Sequence, residues 1–174
     1  DGQVLTSTGS GVAWEDASAG TTTIDGLSDA VSGITNFTNS LILGHQTTGT
    51  LSSADGNTAV GYAAMDAITS GDNNVAVGYN SLSANTTGAN NTALGKGALV
   101  ANTTGDWNIG LGGETLDTNT TGANNVAIGG AALYANTTAS NNVAVGHSAM
   151  IANTTGAYNV AVGGLALDAN TTAN

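Results

Sequence analysis

Residues 74–90 read NVAVGYNSLSANTTGAN, and the seventeen residues that follow, 91–107, read NTALGKGALVANTTGDW. The same pattern continues along the chain, with a glycine at every seventeenth position. These glycines are Gly61, Gly78, Gly95, Gly112, Gly129, Gly146 and Gly163, with Gly44 one period earlier. A fixed period indicates one structural unit stacked on itself, and this unit is too short for two packed helices. The sequence therefore predicts an all-β fold, a parallel β-solenoid or β-roll in which each repeat is one coil.

The apolar residues return with the same period as the glycines, so we expect them to form columns along the stack. We predict two strands per coil, a Val-Ala-Val segment before the glycine and an Ala-Leu-x-Ala segment after it. The valine columns and the leucine column are predicted to fill the inside of the coil. The alanine between the two valines then points to the opposite face. Because that face is also apolar, we expect a second copy of the chain to cover it.

Two asparagine columns have the same period, and we predict that each stacks as an amide ladder between coils about 4.8 Å apart. The first column contains Asn85, Asn102, Asn119, Asn136, Asn153 and Asn170. The second contains Asn57, Asn74, Asn91, Asn108, Asn125, Asn142 and Asn159. The Asn-Thr-Thr-Gly segment that begins at the first column is predicted to turn the chain.

The chain divides into three predicted units. Residues 1–19 are predicted to form a small β-hairpin, because two strand-like segments flank Thr8-Gly9-Ser10-Gly11. Residues 20–39 form a connector with two alternatives, a short trimeric helical neck with a coiled-coil seam or an extended linker. Residues 40–174 form the array of eight 17-residue coils, in which the coil at Gly44 departs from the consensus and is predicted to cap the stack.

Composition excludes several classes of partner. The net charge is −11, and Lys96 is the single basic residue among 174. Nucleic acid is therefore not expected as a partner, because phosphate binding needs a basic surface. An anionic membrane surface is not expected for the same reason, and no apolar run reaches the roughly 18 residues of a membrane span. The chain has no cysteine, which excludes disulfides and thiolate-bound metals.

The sequence predicts no enzyme. His45 and His147 occupy the same repeat position but lie six coils apart, so they cannot act together. We therefore expect no catalytic residues and no bound cofactor. Asp55 and Asp72 stack in adjacent coils and are weak candidates for a calcium site, with a solvated edge as the alternative.

The aromatic residues and threonines allow two further hypotheses. Tyr62 and Tyr79 stack in neighbouring coils, and exposed rings of this kind can bind sugars, although local packing is the simpler interpretation. Trp107 shares its coil with Gly110, Gly112 and Gly113, which we expect to make room for the indole. Threonine columns can also bind ice, but Thr86 and Thr87 are predicted to point in opposite directions.

The repeat NTTGxNNVAVGxxAL resembles the 17-residue repeats of bacteriophage tail fibre proteins, and of bacterial surface proteins that end in a chaperone domain. The segment from Asp1 to Trp14, which begins DGQVL, is similar to a hairpin unit of phage fibres. The NVAVG strand is also similar to the SVAIG strand in the heads of trimeric autotransporter adhesins, whose repeat is somewhat shorter.

Both resemblances imply a parallel homotrimer. The first implies a structural shaft of a virion tail fibre, which contacts other tail or baseplate proteins and presents a distal receptor-binding tip to the host cell surface. The second implies the alternative, a bacterial cell-surface adhesin whose head or stalk binds matrix or cells. The sequence leaves open whether the three chains coil separately or interleave.

Overall fold

The computed structural model describes residues 3–8, 11–16, 30–32, 37–38, 41–43 and 53–173. They contain thirteen strands and no helix. The strands are β1 Gln3–Thr8, β2 Gly11–Asp16, β3 Ala30–Ser32, β4 Phe37–Thr38, β5 Leu41–Leu43, β6 Ala54–Asp55, β7 Thr58–Val60, β8 Val75–Val77, β9 Thr92–Leu94, β10 Ile109–Leu111, β11 Val126–Ile128, β12 Val143–Val145 and β13 Val160–Val162.

Strands β7 to β13 form one parallel ladder in which every residue pairs with its equivalent in the next repeat. Val75, for example, pairs with Thr58 on one side and with Thr92 on the other. At a strand spacing of about 4.8 Å, the six intervals span roughly 29 Å along the stack. The predicted parallel β-solenoid with one coil per repeat is thereby confirmed.

Of the strands before the ladder, β3 and β5 extend its sheet, and the others form two separate pairs. β5 pairs with β7 in parallel, and β3 pairs with β5 antiparallel. β4 pairs with β6 in parallel, and β1 pairs with β2 antiparallel. Residues 9–10, most of the 20–39 connector, and Gly44 with His45 lie outside the described residues. The hairpin unit, the neck or linker, and the capping coil therefore stay predictions.

The second strand predicted in each coil is wrong. The segment after each glycine is a series of turns, in which the second and fourth residues have left-handed backbone angles. In the coil of Gly78 these residues are Asn80, with φ of 55°, and Leu82, with φ of 53°. An extended strand cannot contain such angles. The chain therefore curls tightly around the leucine side chain, which is fully buried.

The predicted orientation of the Val-Ala-Val strand is also wrong. The alanine column points into the coil, and Ala59, Ala76, Ala93, Ala127 and Ala144 are all 0% exposed. The valines on either side point outward. The reason is the width of the coil, since buried leucine or methionine and two buried asparagines already occupy the interior. The inward side chain of the strand can therefore be only the methyl group of alanine or the hydrogen of glycine. The leucine column lies inside, as predicted.

Gly110 stands where the other coils have this inward alanine, and Thr115 in the same coil explains it. In the other coils from Gly61 to Gly163, the equivalents of Thr115 are alanine or serine, so its side chain is the largest of these seven. A Cβ atom at position 110 would lie 2.7 Å from Thr115 Oγ1. The larger threonine and the missing methyl group therefore compensate each other inside one coil. Gly110 makes room for Thr115, and not for Trp107 as the sequence suggested.

We predict that Gly110→Ala lowers the free energy of unfolding by about 1–3 kcal/mol, because it overpacks the coil. In the Thr115→Ala background, the same substitution should cost far less. That background loses about 1 kcal/mol by itself, because the threonine hydroxyl donates a hydrogen bond to Gly112 O at 3.1 Å. Urea denaturation of the wild type, both single variants and the double variant measures the coupling. If the two substitutions change the free energy of unfolding additively, Gly110 and Thr115 do not compensate each other.

Candidate interaction surface

The outward residues of β7 to β13 form a continuous apolar strip, which we call the valine face. It has two side chains per coil, and twelve of its fourteen positions are Val, Leu or Ile. They are Thr58, Val60, Val75, Val77, Thr92, Leu94, Ile109, Leu111, Val126, Ile128, Val143, Val145, Val160 and Val162. Val75 is 38% exposed and Leu94 is 48% exposed, although each has neighbours from the coils above and below. No position of the valine face carries a charge.

The asparagine column directly before the strands fixes their vertical spacing. Asn74 makes two contacts with the preceding coil, because its backbone N–H and its Nδ2 donate to Asn57 Oδ1 at 2.9 Å and 3.1 Å. Its Nδ2 also donates to Gly88 O across the coil. The same pattern repeats at Asn91 and Asn125, and all of these side chains are buried. This ladder therefore holds successive strands in alignment at one border of the valine face.

The second asparagine column forms a side-chain ladder on the far side of the coil. Asn102 Nδ2 donates to Asn85 Oδ1 at 3.0 Å, and Asn119 Nδ2 donates to Asn102 Oδ1 at 2.9 Å. Each amide also donates to the backbone carbonyl three residues later, as Asn102 does to Gly105. The first ladder residue, Asn85, follows Ile68, which occupies the equivalent position one coil earlier and is fully buried.

The periodic glycines lie at the end of each strand. Their φ values run from +114° to +139°, a range that side chains rarely adopt. A Cβ atom at Gly95 would also lie 2.5 Å from Gly112 O, which belongs to the backbone of the next coil. The stacked coils approach each other too closely at this column for any side chain.

The valine face has two borders in each coil. The leading corner lies two residues before the strand, has a left-handed φ, and is occupied by Gly56, Asn73, Asn90, Trp107, Asn124, Asn141 and Tyr158. The trailing corner follows the periodic glycine and is occupied by Tyr62, Tyr79, Lys96, Gly113, Gly130, His147 and Gly164. Two of the trailing residues, Tyr62 and Tyr79, stack with ring centroids 5.5 Å apart and ring planes 10° apart.

The aspartates proposed for calcium contact the backbone of neighbouring coils. Asp72 Oδ1 accepts a hydrogen bond from the backbone N–H of Asp55 at 2.8 Å. Asp106, at the same repeat position, accepts one from the N–H of Ala89 at 2.7 Å. Among the described residues, no group of three or more His, Asp or Glu side chains is arranged to hold a metal ion. The hydrogen bonds give Asp72 and Asp106 a role in joining coils.

Three further charged residues, Lys96, Glu114 and Asp117, interact with one another. Burial raises the pKa of Asp117, and nearby Glu114 raises it further, while Lys96 acts in the opposite direction. Lys96 Nζ lies 3.3 Å from Glu114 Oε1 in an exposed ion pair. His147 is exposed, and its Nδ1 lies 3.1 Å from Ser148 Oγ.

The Asn-Thr-Thr segments present a single row of exposed threonines. The hydroxyl of Thr86 donates to the carbonyl of Thr103 in the next coil at 3.1 Å, whereas the neighbouring Thr87 is exposed. The first threonine of each pair is therefore engaged between coils. One outward row remains where ice binding usually needs two.

The valine face is the feature that reasoning from sequence missed. One signal could have found it, because from Ala59 to Ala161 the alanine column contains nothing larger than alanine, as a narrow interior requires. In the part of the chain that the structure describes, no helix is long and apolar enough to cross a membrane. Comparison with protein-family models, with curated proteins and with solved structures finds no match to this chain.

Proposed function

We propose that this chain is a shaft segment of a phage tail fibre, in which three parallel copies pack through their valine faces. The shaft holds a receptor-binding tip at a distance from the virion and keeps its orientation. The observation that supports this proposal most strongly is the valine face itself. A soluble protein rarely leaves so large a continuous aliphatic strip uncovered, and such strips are typical of protein–protein interfaces.

The distribution of charge favours another copy of the same chain as the cover. The chain has a net charge of −11, so copies that meet through acidic surfaces would repel each other. Between residues 53 and 173 there are seven carboxylates, and none of them lies on the valine face. Copies that associate through this face bury aliphatic side chains and leave these seven carboxylates outside the contact between valine faces, which avoids the cost of burying charge there.

The hydrogen bonding within each copy supports a mechanical role. Each coil in the ladder is joined to the next by backbone hydrogen bonds of the strands, by turn hydrogen bonds such as Leu82 N–H to Ala98 O at 2.9 Å, and by an asparagine contact beside the strand. From the coil of Asn85 onward, the second asparagine column adds another contact. Such a stack resists bending and stretching because any deformation must break several buried hydrogen bonds at once. A spacer that transmits orientation needs this property.

The mass of the protein in solution tests the assembly. We expect the wild type to sediment as three times the chain mass of 16.8 kDa. Val126→Glu should yield folded monomers, because it brings three carboxylates together at the centre of the trimer. Thr121→Glu, which adds the same charge at an exposed turn away from the valine face, should remain trimeric. A monomeric wild type, or equal behaviour of the two variants, would overturn the proposed assembly.

The genes beside the coding sequence test whether the fibre belongs to a phage or to a bacterial cell. Tail and baseplate genes would support the phage fibre. A membrane-anchor domain downstream in the same protein would overturn it in favour of the bacterial adhesin.

A further inference from the structure

The two aromatic residues at the leading corner occupy an unfavourable backbone conformation. Trp107 has φ of 58° and Tyr158 has φ of 61°, whereas the other leading corners carry asparagine or, at position 56, glycine, which tolerate this region best. The ring of Trp107 gains little from its own chain, because it is 60% exposed although coils lie on both sides of it. The strain in one coil is therefore not offset by packing within that coil. A contact outside the chain would account for both residues.

The same two coils have no side chain at the trailing corner. Trp107 shares its coil with Gly113, and Tyr158 shares its coil with Gly164. A Cβ atom at Gly113 would meet only Lys96 O at 3.7 Å, and one at Gly164 only His147 O at 3.9 Å. Neither glycine has a positive φ, so neither is required by its own backbone. Both positions are open surface at the border of the valine face.

The two corners lie at opposite borders of the valine face, so a ring in one coil does not cover the glycine of that coil. In a closed ring of parallel copies, however, the leading border of each copy meets the trailing border of the next at the same height. We propose that, in the trimer proposed above, Trp107 and Tyr158 pack onto Gly113 and Gly164 of the adjacent copy. This inference depends on that assembly. The aromatic–glycine pairs would align the three chains coil by coil.

The chain offers a matched pair of substitutions. Asn124 and Asn141 are both exposed leading corners, with φ of 58° and 63°, but their coils carry Gly130 and His147 at the trailing corner. Asn124→Trp should therefore pack on Gly130 beside the His147 ring, whose Cδ2 lies 3.6 Å from a Cβ atom at Gly130, and slow the exchange of subunits by about tenfold. Asn141→Trp should meet the imidazole of the next copy and speed the exchange by about tenfold. His147→Gly should restore slow exchange in the Asn141→Trp variant.

Subunit exchange between isotopically labelled and unlabelled trimers, followed by native mass spectrometry, measures these rates. Opposite effects of the two tryptophans, with rescue by His147→Gly, are the expected result. If both tryptophans change the rate in the same direction, or if neither changes it, the corners do not pack on each other and the inference fails. A binding site for a sugar or another ligand at Trp107 would give that outcome.

Disulfide cross-linking provides a second test, because the chain has no cysteine of its own. The double variant Asn124→Cys/Gly130→Cys should form covalent trimers under mild oxidation, since each copy supplies one thiol to each neighbour. Asn124→Cys/His147→Cys, which is offset by one coil, should cross-link far less. Cross-links in Asn124→Cys alone would show a symmetric pairing of leading corners and overturn the inference. If the wild type is trimeric and only the corner contacts fail this test, the proposed trimer remains supported. A monomeric wild type would overturn both the trimer and the corner contacts.

Discussion

Replacing Gly95 with alanine is expected to lower the free energy of unfolding by about 3 kcal/mol or more. Two costs add at this position. The backbone has φ of +139°, which is strained for any side chain, and the new methyl group would lie 2.5 Å from Gly112 O in the next coil. The obstacle is backbone, so it cannot rotate away. The change should separate the stack into two parts, because repeat proteins hold together through contacts between neighbouring units.

Gly97→Ala is the matched control, two residues further along the same coil. Gly97 also has a positive φ, of +66°, but the nearest atom to a new Cβ is 3.6 Å away. Alanine already occupies the equivalent positions in other coils, at Ala63 with φ of 54° and at Ala131 with φ of 57°. We expect a loss of about 1 kcal/mol or less. Urea denaturation followed by circular dichroism compares the two variants, and equal losses would mean that contact between coils is not the dominant cost.

Asn119→Asp is expected to destabilise the protein by about 2–4 kcal/mol at neutral pH. The amide of Asn119 is fully buried, donates to Asn102 Oδ1 at 2.9 Å and to Gly122 O at 3.0 Å, and accepts from Asn136. A carboxylate cannot donate either hydrogen bond and would place its charge against two oxygen atoms. Burial raises the pKa of the introduced carboxyl group, so the loss should be largest at neutral pH and smaller in acid, where the group is protonated.

Asn80→Asp makes the same chemical change outside the ladder. Asn80 is partly exposed, and its repeat position already carries a carboxylate in another coil, at Glu114. We expect a change within about 0.5 kcal/mol. Denaturation of both variants at pH 4 and pH 7 is the measurement. If Asn119→Asp loses no more than Asn80→Asp at pH 7, the amide ladder contributes little to stability.

The architecture could be predicted from sequence because the period dictates it. A chain that repeats its apolar residues with one fixed period can bury those of every repeat only by stacking the repeats on one another. The confirmed strand register follows from that constraint. The direction of each strand's side chains was harder to predict. A three-residue strand allows two orientations, and the larger hydrophobic residues were placed inside by the usual expectation. Interior width decided the outcome, and Thr58 and Thr92 in a valine column are consistent with an outward position.

The turns after each glycine could not be predicted for a different reason. Local propensity argues against a left-handed backbone at leucine, and Leu82, Leu99 and Leu116 all adopt one. Complete burial of each side chain compensates for this conformation, and burial of this kind depends on the coils above and below. The leading-corner aromatics illustrate the same limit, since their left-handed angles depend on the path of the whole coil and not on local propensity.

The identical bonding between successive coils has an evolutionary consequence. Recombination between the DNA segments that encode neighbouring repeats would add or remove whole periods, and each period would change the length of the stack by about 4.8 Å. An insertion of any other size would shift the asparagines and glycines of one coil out of their columns and disrupt the contacts of that coil with its neighbours. The ladders of coils in related lineages of this protein should therefore differ in length by whole repeats.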